Sequence, residues 1–312
     1  MSSLPTHSAA SLNETIGFIG LGAMGQKMAH HLLDHGYGLS LYDPNPQVLG
    51  PLLARGAHNH GSPRDVANHA RIVLICVPTP DIVEHVVLGD AGIIHGEQVE
   101  ILVDHSTTGP SMARRVALAL RERGIQALDA PLAGGVAGAL NGTLSVMVGG
   151  DKSAYQQCEP VFACFGKKIE HIGTTPGLGQ TLKLVNNMIV GATLVATSEA
   201  LLFGIKSGLD PRQMLEMLNA STARSFSSEQ ILAGTVMQRE FDFGFRLDLM
   251  RKDVRLFLAE AENIGTPAFT CAVVKQFFDQ AMNEGDAARD MTHVVKVIEK
   301  MAGATIDGQT SS

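Results

Sequence analysis

The sequence predicts an α/β protein in which a doubly wound parallel sheet is followed by an all-helical C-terminal domain. Three observations predict this fold class. Short apolar runs at residues 15–20, 39–42, 71–77 and 100–104 alternate with segments of helical periodicity. Continuous apolar strands separated by helices are typical of parallel sheets that are covered on both faces. After Gly177 no further strand-like run follows, and a chain of 312 residues is long enough for two domains.

The first strand, turn and helix contain three glycines in the spacing G-x-G-x-x-G. In that context Gly20 permits a tight turn, Gly22 lets a pyrophosphate approach the backbone, and Gly25 lets the helix pack closely on the strand. The start of the helix offers N–H groups and a partial positive charge to the phosphates. We therefore predict that the whole loop contacts a dinucleotide cofactor through Gly20, Leu21, Gly22, Ala23, Met24 and Gly25.

Asp43 follows the second strand, where an acidic side chain can hydrogen-bond the ribose hydroxyls and repel a 2′-phosphate. This position favours NAD over NADP as the cofactor. A simple turn aspartate is the alternative interpretation, because Asp43 begins the segment Asp-Pro-Asn-Pro, which suits a turn.

Further cofactor contacts are expected beyond the carboxyl ends of the next two strands, because ligands of open parallel sheets collect there. Val77 and Pro78 follow one strand, and Ser106 and Thr107 follow the next. We predict that Val77, Pro78 and Thr107 lie near the nicotinamide ribose. Ser106 is also a candidate cap for a helix that starts near Gly109.

The segment 129–150 is rich in glycine. Gly134 and Gly135 would present unshielded N–H groups that form a concavity suited to a carboxylate, and we predict an anion site there. Asn141 and Gly142 are assigned instead to a tight hairpin turn, because Asn-Gly is typical of such turns.

Helical spacing predicts a helix from Gly177 to Ala196. Its apolar residues recur at three- and four-residue steps and predict one buried stripe, formed by Leu182, Val185, Ile189, Ala192 and Ala196. Lys183 and Asn187 are four residues apart and therefore project from one face. The alternative to a functional pair is a lysine whose stem covers apolar surface while its ammonium reaches water.

The predicted organisation has four parts. A disordered tail at 1–14 precedes a dinucleotide-binding domain at 15–177, and a helical domain at 178–302, which begins with the inter-domain helix, precedes a second disordered tail at 303–312.

Composition excludes several classes of function. The formal net charge is −7 and no run of lysine and arginine occurs, so no nucleic-acid partner is expected. The four cysteines form no C-x-x-C pair and indicate reduced core residues in a cytoplasmic compartment. The twelve histidines lack a matching cluster of carboxylates or cysteines, so no metal is expected. The N-terminal segment is unlike a signal peptide and no apolar run has the length of a membrane span, so no membrane partner is expected.

Four motifs occur in a fixed order: GFIGLGAMG, DAPLAGG, GLGQTLKLVNN and FGFRLDLMRKD. In that order they resemble the motifs of the β-hydroxyacid dehydrogenases, which include 3-hydroxyisobutyrate dehydrogenase, tartronate semialdehyde reductase and 6-phosphogluconate dehydrogenase. The resemblance covers about residues 15–301. It implies a Rossmann-type domain joined to an all-helical domain, usually packed into homodimers or homotetramers.

The resemblance also implies roles for single residues. Lys183 would be the catalytic residue and Asn187 its partner in holding the substrate, with Asn186 as a more structural neighbour. Thr107 and Lys252 would contact the cofactor. Asp253 follows Lys252 in the Lys-Asp pair.

One residue departs from the family pattern. The usual D-x-P-[VL]-S-G-G has a serine whose hydroxyl helps to bind the substrate, and Ala133 stands in its place. The predicted substrate contacts are therefore Ala133, Gly134, Gly135 and Asn187, and the choice of acid stays open. No basic cluster suited to a sugar phosphate occurs, so a small unphosphorylated acid is expected.

The chemistry explains why a lysine is needed. Oxidation of an alcohol requires a base for the hydroxyl proton while hydride leaves for the nicotinamide. A free lysine has a pKa near ~10.4, and burial beside the positive charge of NAD⁺ would lower the pKa of Lys183. We therefore expect reversible hydride transfer between NAD and a small β-hydroxy acid, with decarboxylation after oxidation left open. The alternative is a catalytically silent cofactor-binding or interaction protein on the same fold.

Overall fold

The computed structural model describes residues 14–285 and 287–307, and the chain divides into two compact units, Met1–Lys183 and Leu184–Ser312. Residues 1–13 and 308–312 of the two predicted tails lie outside the described residues. The boundary falls inside a helix, after Lys183, whereas the sequence analysis placed it at the start of that helix. The first turn of the helix belongs to the first unit because it is hydrogen-bonded to Asp129.

A sheet forms the centre of the first unit. Its strands within the described residues are β1 (Thr15–Ile19), β2 (Gly38–Tyr42), β3 (His58–Asn59), β4 (Ile72–Ile75), β5 (Ile101–Asp104), β6 (Gln126–Asp129), β7 (Leu132–Ala133), β8 (Leu144–Gly150) and β9 (Gly166–Gly173). Their order is β3-β2-β1-β4-β5-β6-β8-β7, and β9 also pairs with β8. The strands β1 to β6 pair in parallel, which confirms the predicted fold class. Strand β8 extends the sheet by running antiparallel to β6 and β7.

Helices connect the strands of the first unit. They are α1 (Gly25–Asp34), α2 (Gly50–Leu53), α3 (Pro63–Ala67), α4 (Pro80–Leu88), α5 (Pro110–Arg121), α6 (Gly135–Asn141) and α7 (Lys152–Ala163). Side chains of Ser62, Thr79 and Asp151 accept hydrogen bonds from the first turns of α3, α4 and α7, as N-caps do. The predicted hairpin turn is wrong: Asn141 ends α6, and Gly142 is its left-handed C-cap with φ +64°.

Both faces of the parallel strands are buried. In β4, Ile72 and Leu74 belong to one apolar cluster, and Val73 and Ile75 belong to another, because successive side chains of a strand point to opposite faces. Helices α1 and α7 contribute to the first cluster, and α3, α4 and α5 contribute to the second. This two-sided burial explains why β4 is continuously apolar.

The described part of the second unit is helical. Its helices are the remainder of α8 (Leu178–Lys206), then α9 (Pro211–Asn219), α10 (Leu247–Asn263), α11 (Phe269–Asn283) and α12 (His293–Ala302), with a π-helical segment at Ser227–Val236. The predicted disorder after residue 302 is wrong for the described residues 303–307. Ala304 and Ile306 are 1% and 0% exposed, because their apolar side chains pack into the core of this unit.

Helix α8 buries a different face from the predicted one. Leu182, Val185 and Ile189 are 37%, 39% and 57% exposed, and none of the five residues of the predicted stripe is fully buried. The buried residues of α8 in the second unit include Leu184, Asn187, Gly191, Leu194, Val195, Ser198, Leu201 and Leu202. A Cβ at Gly191 would lie 2.8 Å from the side chain of Met250, so α10 packs against the glycine side of the helix.

Helix α8 also meets the length and composition of a membrane-spanning helix. The expectation that no apolar segment does so is therefore wrong, because the few polar residues of α8 are spread along the helix. A core helix of a soluble protein meets the same criteria, and 44% of the most apolar window is buried inside the structure.

Candidate active site

The loop between β1 and α1 has two glycines that the backbone requires. Gly20 has φ +90°, and a Cβ there would lie 2.4 Å from the carbonyl oxygen of Cys76. A Cβ at Gly25 would lie 2.0 Å from the carbonyl oxygen of Gly20. Gly20 therefore makes the turn possible, and Gly25 allows the close approach of helix to strand.

Gly22 differs from these two glycines. Apart from its chain neighbours, no described atom lies within 4 Å of a Cβ placed there. The backbone of Gly22 is thus open to a group that binds against it. Helix α1 has no capping side chain and no acidic residue in its first turn, so Leu21, Ala23 and Met24 lead to a helix start that can bind a phosphate. The loop therefore fits the pyrophosphate of a dinucleotide.

Asp43 is half-buried directly after β2 and is tied to the glycine loop. Its Oδ2 accepts a hydrogen bond from the N–H of Leu21 at 2.7 Å, and its Oδ1 accepts one from the N–H of Asn45 at 2.8 Å. The bond to Asn45 is the turn contact of the alternative interpretation. Each oxygen keeps further acceptor capacity, so the turn role leaves room for a ribose hydroxyl.

The segments after β4 and β5 are joined to each other. The N–H of Val77 donates to the Oγ of Ser106 at 2.9 Å. Pro78 is exposed and Thr107 is half-buried, one residue further along each segment. The predicted capping role of Ser106 is wrong, because its hydroxyl accepts from Val77 and α5 begins after Gly109 without a side-chain cap.

A buried glutamine joins this region to α8, and the sequence analysis missed it. Gln180 is 0% exposed. Its Oε1 accepts hydrogen bonds from the N–H groups of Thr108 at 2.9 Å and Gly109 at 3.2 Å, and its Nε2 donates to the carbonyl oxygen of Ser106 at 2.8 Å. The three bonded backbone groups flank Thr107.

Asp129, the first residue of DAPLAGG, is a second buried residue to which the sequence analysis gave no role, and it caps the start of α8. Its Oδ1 accepts from the N–H of Gly177 at 2.6 Å and its Oδ2 accepts from the N–H of Gln180 at 2.9 Å. Burial raises the pKa of Asp129 to about 6, although the N–H donors oppose that rise. A Cβ at Gly179 would lie 2.2 Å from the carbonyl oxygen of Met147, so the glycine lets the helix start lie against the sheet.

The predicted anion site lies where β7 ends and α6 begins. Ala133 pairs with Ser145 of β8. Gly134 and Gly135 have φ +121° and +61°, which are conformations that favour glycine. Gly134 is exposed, and a Cβ at Gly135 would have no described neighbour within 4 Å. The backbone here has room for a small acid.

A buried polar group orients Asn187 within the second unit. Asn187 and Asp253 are 6% and 2% exposed, and the Nδ2 of Asn187 donates to the Oδ2 of Asp253 at 2.6 Å. The Nδ2 of Asn186 donates to the Oδ1 of Asn187 at 3.0 Å. The Nζ of Lys252 forms an ion pair with the Oδ1 of Asp253 at 2.8 Å. Lys183, which is half-buried, precedes Asn187 by one helical turn on α8.

These contacts give the Lys-Asp pair a structural role that the sequence did not reveal. The ammonium of Lys252, predicted as a cofactor contact, balances the charge of Asp253, and Asp253 holds the amide of Asn187. The detectable pattern was a pair of adjacent opposite charges in an amphipathic helix. Within residues 14–285 and 287–307, no three histidine, cysteine or acidic side chains are grouped so that they could hold a metal ion.

Two family profiles match most of the chain. One is described as the NAD binding domain of 6-phosphogluconate dehydrogenase and matches residues 15–173. The other is described as the NAD-binding of NADP-dependent 3-hydroxyisobutyrate dehydrogenase and matches residues 177–298.

Individual relatives match over nearly the full chain. The 2-(hydroxymethyl)glutarate dehydrogenase of Eubacterium barkeri is 35% identical over 94% of this chain and 97% of its own length. The NAD-dependent L-serine dehydrogenase of Pseudomonas aeruginosa is 34% identical over 92% of this chain and 99% of its own. A structure of Mycobacterium tuberculosis 3-hydroxyisobutyrate dehydrogenase with L-serine is 27% identical, with a TM-score of 0.84 over 91% of this chain and 99% of that one.

Proposed function

The chain belongs to the β-hydroxyacid dehydrogenase family, and from this premise we propose that it exchanges hydride reversibly between NAD and a small β-hydroxy acid or its aldehyde or keto acid. Membership makes it an NAD(P)-dependent oxidoreductase that acts on hydroxyl groups. The proposal adds the class of acid, the preference for NAD, and Lys183 as the general acid and base.

The buried hydrogen bond between Asn187 and Asp253 is the observation that supports this proposal most directly. A lysine that only covers apolar surface needs no fixed polar neighbour. Here the amide one turn after Lys183 is oriented by a carboxylate on one side and by Asn186 on the other. A fixed amide beside a proton-transferring group is what a substrate hydroxyl requires for a near-attack geometry.

Each group has a defined task in this mechanism. The bound nicotinamide supplies the hydride acceptor or donor. Lys183 accepts the hydroxyl proton in oxidation and returns it in reduction. Asn187 hydrogen-bonds the hydroxyl, and the backbone N–H groups of Gly134 and Gly135 bind the carboxylate.

Ala133 has a methyl group and no hydroxyl. We therefore propose that the acid is bound without a side-chain hydroxyl from residue 133. The substrates in the names of the relatives, 2-(hydroxymethyl)glutarate, L-serine and 3-hydroxyisobutyrate, define the range to test. A small unphosphorylated acid fits the glycine backbone at residues 134 and 135 and the absence of a basic cluster in the sequence.

The preference for NAD rests on Asp43. Its carboxylate is fixed to the glycine loop and would repel a 2′-phosphate. Asp43→Ala is therefore expected to raise the use of NADP relative to NAD, measured as the ratio of kcat/KM for the two cofactors. Asp81→Ala, at an exposed position in α4, is the control. An unchanged ratio would show that Asp43 does not determine the preference.

We propose that the protein works as a homodimer or homotetramer. The exposed apolar residues Val185, Ile189 and Phe203 of α8 support this proposal, since they are 39%, 57% and 76% exposed in one chain. Light scattering after size exclusion measures the mass directly, and a monomer at micromolar concentration would contradict it.

The deciding experiment compares wild type, Lys183→Ala and Lys183→Arg on a panel of small hydroxy acids with NAD and of their aldehyde acids with NADH. Loss of a general acid and base lowers kcat by at least ~10²-fold, while NADH binding persists. Arginine keeps the charge but does not release its proton, so it is expected to be as inactive as alanine. Lys206→Ala, at the far end of the same helix, is the matched control.

Two results would contradict the proposal. Normal turnover by Lys183→Ala would remove the lysine from the mechanism. Binding of NADH by the wild type without turnover of any panel member would favour the catalytically silent alternative.

A further inference from the structure

We infer that Gln180 is a positioning residue that fixes the Thr107 segment relative to the turn of α8 that precedes Lys183. This inference rests on the proposed function, because it concerns the alignment of the predicted cofactor contact Thr107 with the proposed acid and base Lys183. All the contacts that support it lie within the first unit.

The amide of Gln180 uses three of its four hydrogen-bonding positions on one short segment. Both acceptor positions of Oε1 are taken by the N–H groups of Thr108 and Gly109, and one Nε2 proton goes to the carbonyl oxygen of Ser106. The residue between these bonded groups is Thr107. The segment after β5 is therefore held directly on both sides of this residue by one side chain.

The amide has only one workable orientation. If its oxygen and nitrogen exchanged places, the NH₂ group would face the N–H donors of Thr108 and Gly109, and the oxygen would face the carbonyl of Ser106. With Gln180 fully buried, water cannot relieve such a mismatch, so the exchanged orientation is strongly disfavoured. Asparagine offers the same groups on a shorter side chain, and ionised glutamate has acceptors but no donor.

The backbone of Gln180 is fixed as firmly as its side chain. Its N–H donates to Asp129, which also accepts from Gly177, so the first turn of α8 cannot shift without breaking buried hydrogen bonds. Lys183 follows three residues later, about 4.5 Å further along the helix axis. Gln180 thus fixes both the turn of α8 that precedes Lys183 and the position of the Thr107 segment.

The hydrogen bonds described for Gln180 join residues 106–109 and Asp129 and none reaches the glycine loop predicted to bind the pyrophosphate. The geometry of that loop is set by Gly20, Gly25 and Asp43. Loss of the Gln180 amide is therefore expected to affect the alignment for hydride transfer more than the affinity for the cofactor. A misplacement of about 1 Å can cost on the order of 10²-fold in rate.

The test compares wild type with Gln180→Leu and Gln180→Glu, and uses Thr181→Val as the matched control. Thr181 lies next to Gln180, and its hydroxyl bonds only to the carbonyl of Gly177 among the described contacts. Four quantities are measured: melting temperature, dissociation constant for NADH, emission of bound NADH, and the deuterium isotope effect on kcat with NADH labelled at C4. The chain contains no tryptophan, so tryptophan emission does not interfere.

The expected result for Gln180→Leu has three parts. The value of kcat falls about 10- to 100-fold with a raised isotope effect, because hydride transfer becomes slower than the other steps. The dissociation constant for NADH changes less than about tenfold. The emission of bound NADH changes, because the nicotinamide contacts a looser segment. Protonated Gln180→Glu keeps the two acceptor contacts and can donate its O–H to the carbonyl oxygen of Ser106, so its kcat should lie between those of wild type and Gln180→Leu.

A purely structural role gives a different pattern. If kcat falls only in proportion to the folded fraction, with an unchanged isotope effect and unchanged NADH emission, the inference is wrong. If wild type binds NADH but converts no panel acid, the proposed function fails, and the emission arm still decides the role of Gln180. A changed emission in Gln180→Leu but not in Thr181→Val would support positioning, and equal emission in all variants would overturn it.

Discussion

Two regions of α8 are fixed by buried aspartates in different ways. At the start of the helix, Asp129 accepts hydrogen bonds from backbone N–H groups of Gly177 and Gln180. Further along, Asp253 bonds to side chains: it accepts from the amide of Asn187 and is paired with the ammonium of Lys252. Among the described contacts, Asp129 therefore has no charged side-chain partner, whereas Asp253 is paired with a cation.

This difference determines which residue types each region requires in the sequence. Backbone partners are the same whatever residues supply them, so the hydrogen bonds of Asp129 require no particular residue types in their partners, although Asp129 itself begins the motif DAPLAGG. Side-chain partners must be the right residues, and the contacts of Asp253 coincide with the Lys-Asp pair and the double asparagine. A backbone anchor fixes the path of the helix, and a side-chain anchor fixes the orientation of one functional group.

Removal of the backbone anchor should have the largest effect. Asp129→Leu leaves the buried N–H groups of Gly177 and Gln180 without acceptors, and should lower the free energy of unfolding by about 3 kcal/mol or more. Urea denaturation followed by circular dichroism measures this loss. Asp90→Leu, at an exposed position, is the control. Equal midpoints for the two variants would show that the start of α8 does not depend on Asp129.

The same anchor should respond to pH. The pKa of Asp129 in the folded protein, about 6, lies above its ordinary value of 3.8, so the folded state binds the extra proton between these values. The stabilising contribution of this group is therefore fully present below pH 3.8 and is lost as the pH rises through 6. The loss amounts to at most about 3 kcal/mol at ~1.4 kcal/mol per pKa unit.

Asp129→Asn removes this titration. The difference in unfolding free energy between wild type and Asp129→Asn, measured from pH 4 to pH 7, should therefore move against the wild type as the pH rises. A constant difference would contradict a raised pKa.

Loss of the side-chain anchor should have a smaller effect on stability and a specific effect on activity. Asp253→Asn keeps the shape and an acceptor oxygen for Asn187 but removes the charge beside Lys252. We expect a loss of about 1 to 2 kcal/mol in unfolding free energy, and a fall in kcat/KM of about tenfold, which corresponds to ~1.4 kcal/mol. Stopped-flow and denaturation experiments on one preparation separate the two effects. The matched control is Asp279→Asn. Asp279 is an acidic residue of α11 in the same unit, and it forms an ion pair with Arg251 of α10.

The fold was predictable where the chain satisfies simple periodic rules. Apolar strands such as β4 and the glycine turn at Gly20 are local patterns with one structural outcome. The buried face of α8 was not predictable, because Leu182, Val185 and Ile189 have the correct spacing but remain exposed in the single chain. The spacing of apolar residues shows that a face exists but does not show which neighbour covers it.

The candidate site was predictable in the same uneven manner. Lys183, Asn187 and the glycine loop belong to motifs, so sequence patterns predicted them as candidate site residues. Gln180 and Asp253 were given no role, since a buried polar residue acquires its function from groups that are distant in the sequence: Gln180 bonds to a carbonyl 74 residues away, and Asp253 bonds to an amide 66 residues away.

A mutational scan of the first loop that is scored in two ways would distinguish Gly22 from Gly25. A scan for abundance of folded protein should reject alanine at Gly25, where a Cβ would lie 2.0 Å from a carbonyl oxygen. The same scan should accept alanine at Gly22, where φ is not positive and the space is open. A scan scored for retention on an immobilised dinucleotide should reject both. Stability engineering that is guided by abundance alone would therefore accept replacement of Gly22, which folding does not require but cofactor binding does.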